Sequence, residues 1–157
     1  MAKAKQKQII TKLDVKNQYP FKTHAEILNK VFNKKNRAGK PYKLYLRGGL
    51  RITPHQCCTF IHLAEKTPEG GWLPAKSEKN WLNIPNSKGS TFTQIQLNKK
   101  NDGFFEKIAG INEWAFFRKE KGLGYYFYGI FELVRKDKRG VCVYKRKSTV
   151  LYPAKWV

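Results

Sequence analysis

Acidic residues are scarce in this chain of 157 residues, which has 11 Asp and Glu against 32 Lys and Arg and a formal net charge of +21. The carboxylates are scattered, and no spacing brings together the two or three that a metal-dependent nuclease needs to hold a divalent ion. A compact positive field is most often neutralised by a phosphate backbone, which releases counterions on contact. The charge therefore indicates a nucleic-acid partner, with membrane surfaces, acidic proteins and plain solubility as competing interpretations.

Long apolar runs and cysteines are also few. No apolar run approaches the roughly 18 residues of a membrane-spanning helix. Residues 1–8 are polar and basic with no apolar segment behind them, unlike a secretory signal. The cysteines Cys57, Cys58 and Cys142 are odd in number and include an adjacent pair, which does not suit a disulfide framework. We expect a reduced, cytoplasmic protein without a membrane partner.

Signatures of cofactor chemistry are missing as well. No Gly-rich phosphate loop followed by Lys and Ser or Thr is present, so nucleotide hydrolysis is not indicated. His55, Cys57, Cys58 and His62 are metal-ligand types, but their spacing matches no zinc pattern. Strand alternation also separates Cys57 from Cys58 and His62. We expect ordinary cysteines in a buried strand, no metal and no cofactor.

Apolar and aromatic residues are plentiful, at 41% and 14% of the chain, which is enough to offset the entropy of ordering it. The length suits one domain, which we place at 21–157, after a basic N-terminal arm or edge segment over 1–20. Thr23 followed by Glu26 is a capping box, and apolar residues at helical spacing predict a helix from Thr23 to near Lys35.

Period-two alternation in the rest of the chain predicts a mostly β (α+β) fold. Residues 43–47 alternate leucines with basic and aromatic side chains, which predicts a strand with one buried face. Residues 72–90 are typical of a long surface loop. In 91–97, Gln94 and Gln96 form the polar face. The other predicted elements are strands over Cys57–Leu63, Thr91–Leu97, Trp114–Arg118, Tyr125–Val134 and Val141–Leu151, and a second short helix over Gly103–Ala109. This content favours a strongly curved sheet or small barrel, a pseudobarrel of about six to seven strands with two short helices.

Lys and Arg are interleaved with aromatic residues at several points. Cations contact phosphates, while an exposed ring can stack on a base for about 1–3 kcal/mol. The loop 33–40 and the hairpin connection 135–140 are rich in cations, and the latter should lie near 145–147 to form one compact patch. Core packing is the alternative for most rings, and a solvated loop is the alternative for the hairpin. The predicted nucleic-acid contacts are Lys34, Lys35, Arg37, Lys40, Lys43, Tyr45, Arg47, Arg51, Trp81, Arg118, Lys119, Tyr126, Tyr128, Arg135, Lys136, Lys138, Arg139 and Lys145.

The segment 116–119 followed by 124–132, FFRK and GYYFYGIFE, resembles a strand pair in DNA-recognition domains of bacterial restriction systems. These include SRA-type and EVE-type modified-base readers of the PUA superfold and the pseudobarrel domains shared with plant transcription factors. The resemblance implies a specificity module, like the N-terminal domain of McrB-like restriction enzymes, that works with a motor or nuclease domain or subunit. In an SRA-like reader a flipped base would be held by aromatic stacking, whereas a pseudobarrel reader would use Arg, Lys, Asn and Gln in the major groove. The cage candidates so implied are Tyr45, Trp81, Tyr126 and Tyr128.

We therefore expect a sequence- or modification-specific module that binds duplex DNA in a restriction or defence system, without catalytic activity in this chain. A small nuclease or base-excising enzyme stays open, because a metal-independent site leaves little trace in a sequence; Glu132 and His62 are the residues to test. An RNA-binding protein fits the charge equally well. The nucleic-acid interpretation as a whole requires the excess cations to gather on one side of the fold.

Overall fold

The computed structural model describes residues 10–74, 81–85, 90–97, 108–120, 122–137 and 140–156. Within these residues the chain forms eleven strands, one α-helix and one 3₁₀ turn. Their bounds are β1 Leu13–Asp14, α1 His24–Lys30, β2 Gly49–Thr53, β3 Gln56–Ile61, β4 Glu65–Lys66, β5 Trp72–Leu73, β6 Trp81–Pro85, β7 Thr91–Gln96, β8 Glu113–Glu120, β9 Gly124–Lys136, β10 Val141–Ser148, β11 Val150–Leu151 and the 3₁₀ turn Pro153–Trp156.

Seven of these strands form one mixed sheet in the order β2-β3-β8-β9-β10-β7-β6. The pairs are antiparallel except for β3 and β8, which run parallel. Two short ladders, β1 with β11 and β4 with β5, lie outside it. The mostly β fold and the curved sheet of seven strands are confirmed. The predicted hairpin between β9 and β10 is present and is closed by a hydrogen bond from Asp137 N to Val141 O (3.0 Å).

The sheet does not close into a barrel, so of the two predicted alternatives the open sheet is the one observed. Its edge strand β6 reaches the segment after β3 through an isolated bridge between Leu63 and Asn83. The hydrogen bond from Ala64 N to Asn83 O (2.8 Å) and one from the Asn83 amide to His62 O (3.2 Å) complete this contact. A single bridge thus connects the edge strand β6 to the segment that follows β3 without forming a ladder between them.

Strand β9 joins the two halves of the sheet. Its residues 124–131 pair with β8, and residues 130–136 pair with β10. The register with β8 shifts at Tyr128, next to Gly129, which has a φ of +133°. This conformation is open to glycine and strained for other residues, so Gly129 permits the bulge that bends the strand.

The core consists of two largely aromatic clusters, one on each face of the sheet. Helix α1 covers the first cluster, and β7 and β10 contribute to the second. The first cluster includes Ile27, Leu28, Phe32, Phe60, Phe117 and Phe127. The second includes Phe92, Trp114, Phe116, Phe131 and Tyr144. Cys58 lies in the first cluster and Cys57 packs against the second, as strand alternation predicts.

Helix α1 begins as predicted, because the Thr23 hydroxyl accepts a hydrogen bond from Glu26 N (3.1 Å). The prediction that it ends near Lys35 is wrong. Asn33 takes a left-handed φ of 49°, and Lys34 N donates back to Leu28 O (2.9 Å), which occupies a carbonyl of the last helical turns. Asn is among the residues that best tolerate this conformation, so the chain turns away there.

The predicted strand over 43–47 is wrong, and its burial is reversed. Leu44 and Leu46 are 67% and 81% exposed, while Tyr45 is half-buried. The Asn29 side chain accepts from Tyr42 N and donates to Tyr42 O, both at 2.7 Å, so a side chain takes the place of a partner strand. Pairing begins only at β2.

Two further expectations fail in the middle of the chain. Residues 72–90 are not one irregular loop, because β5 and β6 lie within them and β6 pairs with β7. The burial pattern of β7 is also the reverse of the prediction, which placed Gln94 on the polar face. Gln94 is buried, and its side-chain amide donates to Asn83 Oδ1 (3.0 Å) and accepts from the Tyr144 hydroxyl (3.4 Å), so protein groups take the place of water. Residues 103–107 of the second predicted helix lie outside the described residues.

Candidate nucleic-acid interface

An imidazole and several aromatic rings meet where β3 and β8 end and β9 begins. The His24 ring stacks on Phe60 with centroids 3.9 Å apart and planes 10° apart. Its Nε2 lies 2.8 Å from the Tyr125 hydroxyl. The His62 ring meets Tyr125 edge-on at 6.0 Å, and Tyr45 meets Phe60 at 6.4 Å. We call these five residues the His24 cluster.

Backbone geometry fixes the members of this cluster. The Thr23 cap places His24 at the first position of α1, directly above β3. Phe21 and Tyr125 exchange two backbone hydrogen bonds of 2.8 and 2.7 Å, which ties the entry to α1 to the start of β9. At the next position, Gly124 has a φ of +129°, and a Cβ there would collide with the carbonyl oxygen of Phe21. The close approach therefore requires glycine.

The imidazoles of the cluster are held neutral at physiological pH. Burial lowers the pKa of His24 to about 4, opposed in part by the backbone of Arg47. Burial also lowers the pKa of His62, assisted by the ammonium of Lys119. The Lys119 Nζ lies 4.7 Å from the centre of the Tyr125 ring. The His24 Nδ1 is buried and has no hydrogen-bond partner among the described residues. The cluster is thus a neutral aromatic group at the edge of the first core cluster: Phe60 and Tyr125 are buried, His24, Tyr45 and His62 are partly exposed, and one cation lies beside them.

A basic loop, residues 33–48, borders this cluster. It contains six Lys and Arg and no acidic residue. Tyr45 connects it to the cluster, because its ring packs on Phe60 while its hydroxyl donates to Gly49 O (2.7 Å). The Arg47 backbone adjoins His24. The exposed cations of the loop are Lys35, Arg37, Lys40, Lys43 and Arg47. Lys34 is different, because its Nζ donates to Ile52 O (2.8 Å) on β2.

Arg118, Tyr126 and Tyr128 lie on the opposite face of the sheet from Lys119. The Arg118 guanidinium is 5.4 Å from the Tyr126 ring centre and 5.9 Å from that of Tyr128, and it pairs with Glu120 at 2.8 Å. Tyr126 is half-buried, whereas Tyr128 is 8% exposed. Tyr128 thus belongs to the second core cluster.

The sequence predicts that 145–147 forms a surface patch with the hairpin connection, but Arg146 does not take part in such a patch. Its guanidinium lies 5.2 Å from the ring centre of Tyr128 and 5.5 Å from that of Phe131, and it donates to Tyr128 O (2.7 Å). This carbonyl sits at the bulge of β9, so the arginine supplies a donor that the ladder does not. Lys147 is also engaged, with Glu113 at 3.3 Å.

The other predicted contacts lie apart from the His24 cluster. Arg135 and Lys136 are exposed at the far end of β9, ten residues beyond Tyr125, which is about 30 Å along a strand. Trp81 lies near that end, since it pairs with Gln96, whose backbone bonds to Gly140. Arg51 donates to Pro54 O and Ala109 O. Lys145 is exposed opposite Glu132. The remaining predicted residues, Lys138 and Arg139, lie outside the described residues. The predicted contacts that the structure describes therefore form separate groups and not one patch.

Sequence reasoning found Tyr45 and Lys119 but missed His24, Phe60 and Tyr125 as a site, and it considered His62 only as a metal ligand or nuclease residue. The members come from four distant segments, so no local spacing links them. The nearest signal was the capping box, which fixes His24 at the start of a helix. No group of three or more His, Cys, Asp or Glu side chains suited to a metal occurs among the described residues. No helix within the described ranges is long and apolar enough to span a membrane.

Comparison with known proteins gives a likeness of fold. No protein-family model and no curated protein matches the chain. A solved structure entitled "The 5-Hydroxymethylcytosine-Specific Restriction Enzyme AbaSI" superposes with a TM-score of 0.66 at 18% sequence identity. The match covers 90% of this chain and 42% of that enzyme. The chain thus shares its fold with a portion, somewhat under half, of a restriction enzyme.

Proposed function

We propose that this domain binds duplex DNA as the sequence- or modification-specific recognition module of a restriction or defence system. The observation that carries the proposal is the juxtaposition of a basic loop without acids and a neutral aromatic cluster at one end of the sheet. Cations next to stacking surfaces suit a ligand with phosphates and bases. The shared fold with a restriction enzyme supports the same assignment.

Within this proposal the basic loop and Lys119 contact phosphates, and the His24 cluster contacts a base. A base extruded from the duplex would meet the partly exposed rings of His24, Tyr45 and His62, behind which the buried Phe60 and Tyr125 hold His24 in place. A modified cytosine is the first candidate base, since the restriction enzyme of similar fold is described as specific for 5-hydroxymethylcytosine.

The first experiment measures affinity for one duplex across a salt series. The logarithm of the binding constant should fall linearly with the logarithm of salt concentration, with a slope of several units. Lys43→Ala or Arg47→Ala should each reduce the slope by about one. Lys147→Ala is the charge-matched control, because Lys147 pairs with Glu113 at the other end of β8. A flat series, or equal effects of all three variants, would contradict the proposal.

The second experiment compares duplexes that carry cytosine, 5-methylcytosine or 5-hydroxymethylcytosine at one position, with an RNA duplex as competitor. Tyr125→Phe keeps the ring but removes the hydroxyl that bonds His24. It should change the ratio of affinities among the three bases without changing the salt slope. Preferential binding of the RNA would support the RNA alternative instead.

A further inference from the structure

The basic loop presents two leucines to solvent beside the His24 cluster. Leu44 and Leu46 are 67% and 81% exposed and flank Tyr45, whose ring is directed toward the core. Scattered exposed leucines are ordinary on protein surfaces. These two differ because they lie one residue on either side of an anchored ring and are bracketed by Lys43 and Arg47.

Hydrogen bonds hold the loop in this shape. The Asn36 side chain accepts from Ala38 N (2.9 Å) and Lys40 N (3.0 Å), which closes a turn over 36–40. Asn29 then fixes both backbone groups of Tyr42, and the Tyr42 and Tyr45 rings pack edge to face at 5.4 Å. The leucines are therefore presented by a preorganised segment, which lowers the entropy cost of using them in binding.

We propose that Leu44 and Leu46 form an apolar wedge that enters the base stack of bound duplex DNA next to the His24 cluster. Charge complementarity selects this occupant: cations border both leucines, and phosphates border every base step. Inserted aliphatic side chains unstack neighbouring bases, which is the step that frees a base to reach an adjacent aromatic surface. The inference rests on the proposed function and identifies the residues that would open the duplex.

The test compares a fully paired duplex with one that carries a single mismatch at the target position, using wild type, Leu46→Ala and Leu44→Ala/Leu46→Ala. On the paired duplex the double variant should bind at least about tenfold more weakly, because the buried area of two leucines is lost. The loss should shrink on the mismatched duplex, where unstacking costs less. A 2-aminopurine placed beside the target should brighten with wild type and not with the double variant. Leu97→Ala, 45% exposed at the hairpin end of the sheet, is the control and should behave as wild type.

The outcomes separate this inference from the proposed function. If wild type shows no salt-dependent DNA binding, both fail. If wild type binds with a steep salt slope but the leucine variants match Leu97→Ala, or lose affinity equally on both duplexes, the wedge alone is refuted. A change in mass by sedimentation on removing the leucines, with DNA binding intact, would assign them to a contact between copies of the chain and would also refute it.

Discussion

Acidification should destabilise the fold through His24. The folded state resists protonation of this ring until a pH of about 4, whereas the unfolded chain protonates it near 6.5. The unfolded state therefore binds more protons between these values, and the free energy of unfolding falls as the pH falls through this window. Above about 6.5 the contribution is constant. A shift of this size corresponds to about 3 kcal/mol for a fully buried group, and partial exposure of the ring reduces the expected effect to about 1–2 kcal/mol.

Urea unfolding of wild type and His24→Gln at pH 7 and pH 4.5 measures this contribution. Carboxyl titration affects both proteins alike, so the difference between them isolates the ring. The variant should lose less stability than wild type on acidification. The chain has three histidines, so each ring can also be followed by NMR. A His24 resonance that titrates near 6.5, or equal acid losses in wild type and His24→Gln, would refute the assignment.

Three further outcomes follow from packing and from the spacing of the cations. Arg146→Met should lower the free energy of unfolding by about 2–3 kcal/mol, because it leaves the carbonyl at the β9 bulge without its donor. The control Lys145→Met should change it by less than about 0.5 kcal/mol, and urea unfolding distinguishes the two variants. Gly124→Ala should lower the free energy of unfolding by more than about 2 kcal/mol, because its Cβ would collide with Phe21. Gly122 also has a positive φ but has open space around it, so Gly122→Ala should lower the free energy of unfolding by about 1 kcal/mol in the same assay. Affinity for DNA should rise with duplex length up to about nine or ten base pairs, since the cationic groups at the two ends of β9 lie about 30 Å apart; a plateau at five base pairs would show that one end suffices.

The elements that the sequence predicted best are those governed by local chemistry. The hydroxyl cap at Thr23 predicts the start of α1 because the cap bond joins residues three apart. The hairpin over 135–140 was predicted because a short polar turn separates two apolar strands. The mostly β character follows from period-two alternation, which needs no knowledge of partners.

The failures have long-range causes. Leu44 and Leu46 look like the buried face of a strand, but Asn29 takes the place of a pairing partner and the leucines face solvent. Gln94 looks like a surface residue, yet a partner amide and a hydroxyl satisfy it in the core. The His24 cluster depends on a helix start and a strand start brought together across 101 residues. Local sequence patterns carry no information about contacts between residues so far apart in the chain.

The shared strand β9 has a consequence for the kind of duplex that would bind. Cations near its first residues and at its last residues belong to one hydrogen-bonded ladder, so their separation is fixed before any ligand arrives. A straight, stiff duplex and a bent strand cannot both keep their shapes and remain in contact along their whole length. The nucleic acid would have to supply the deformation, and sites with easily kinked pyrimidine–purine steps would then be favoured over A-tracts even where no base is touched.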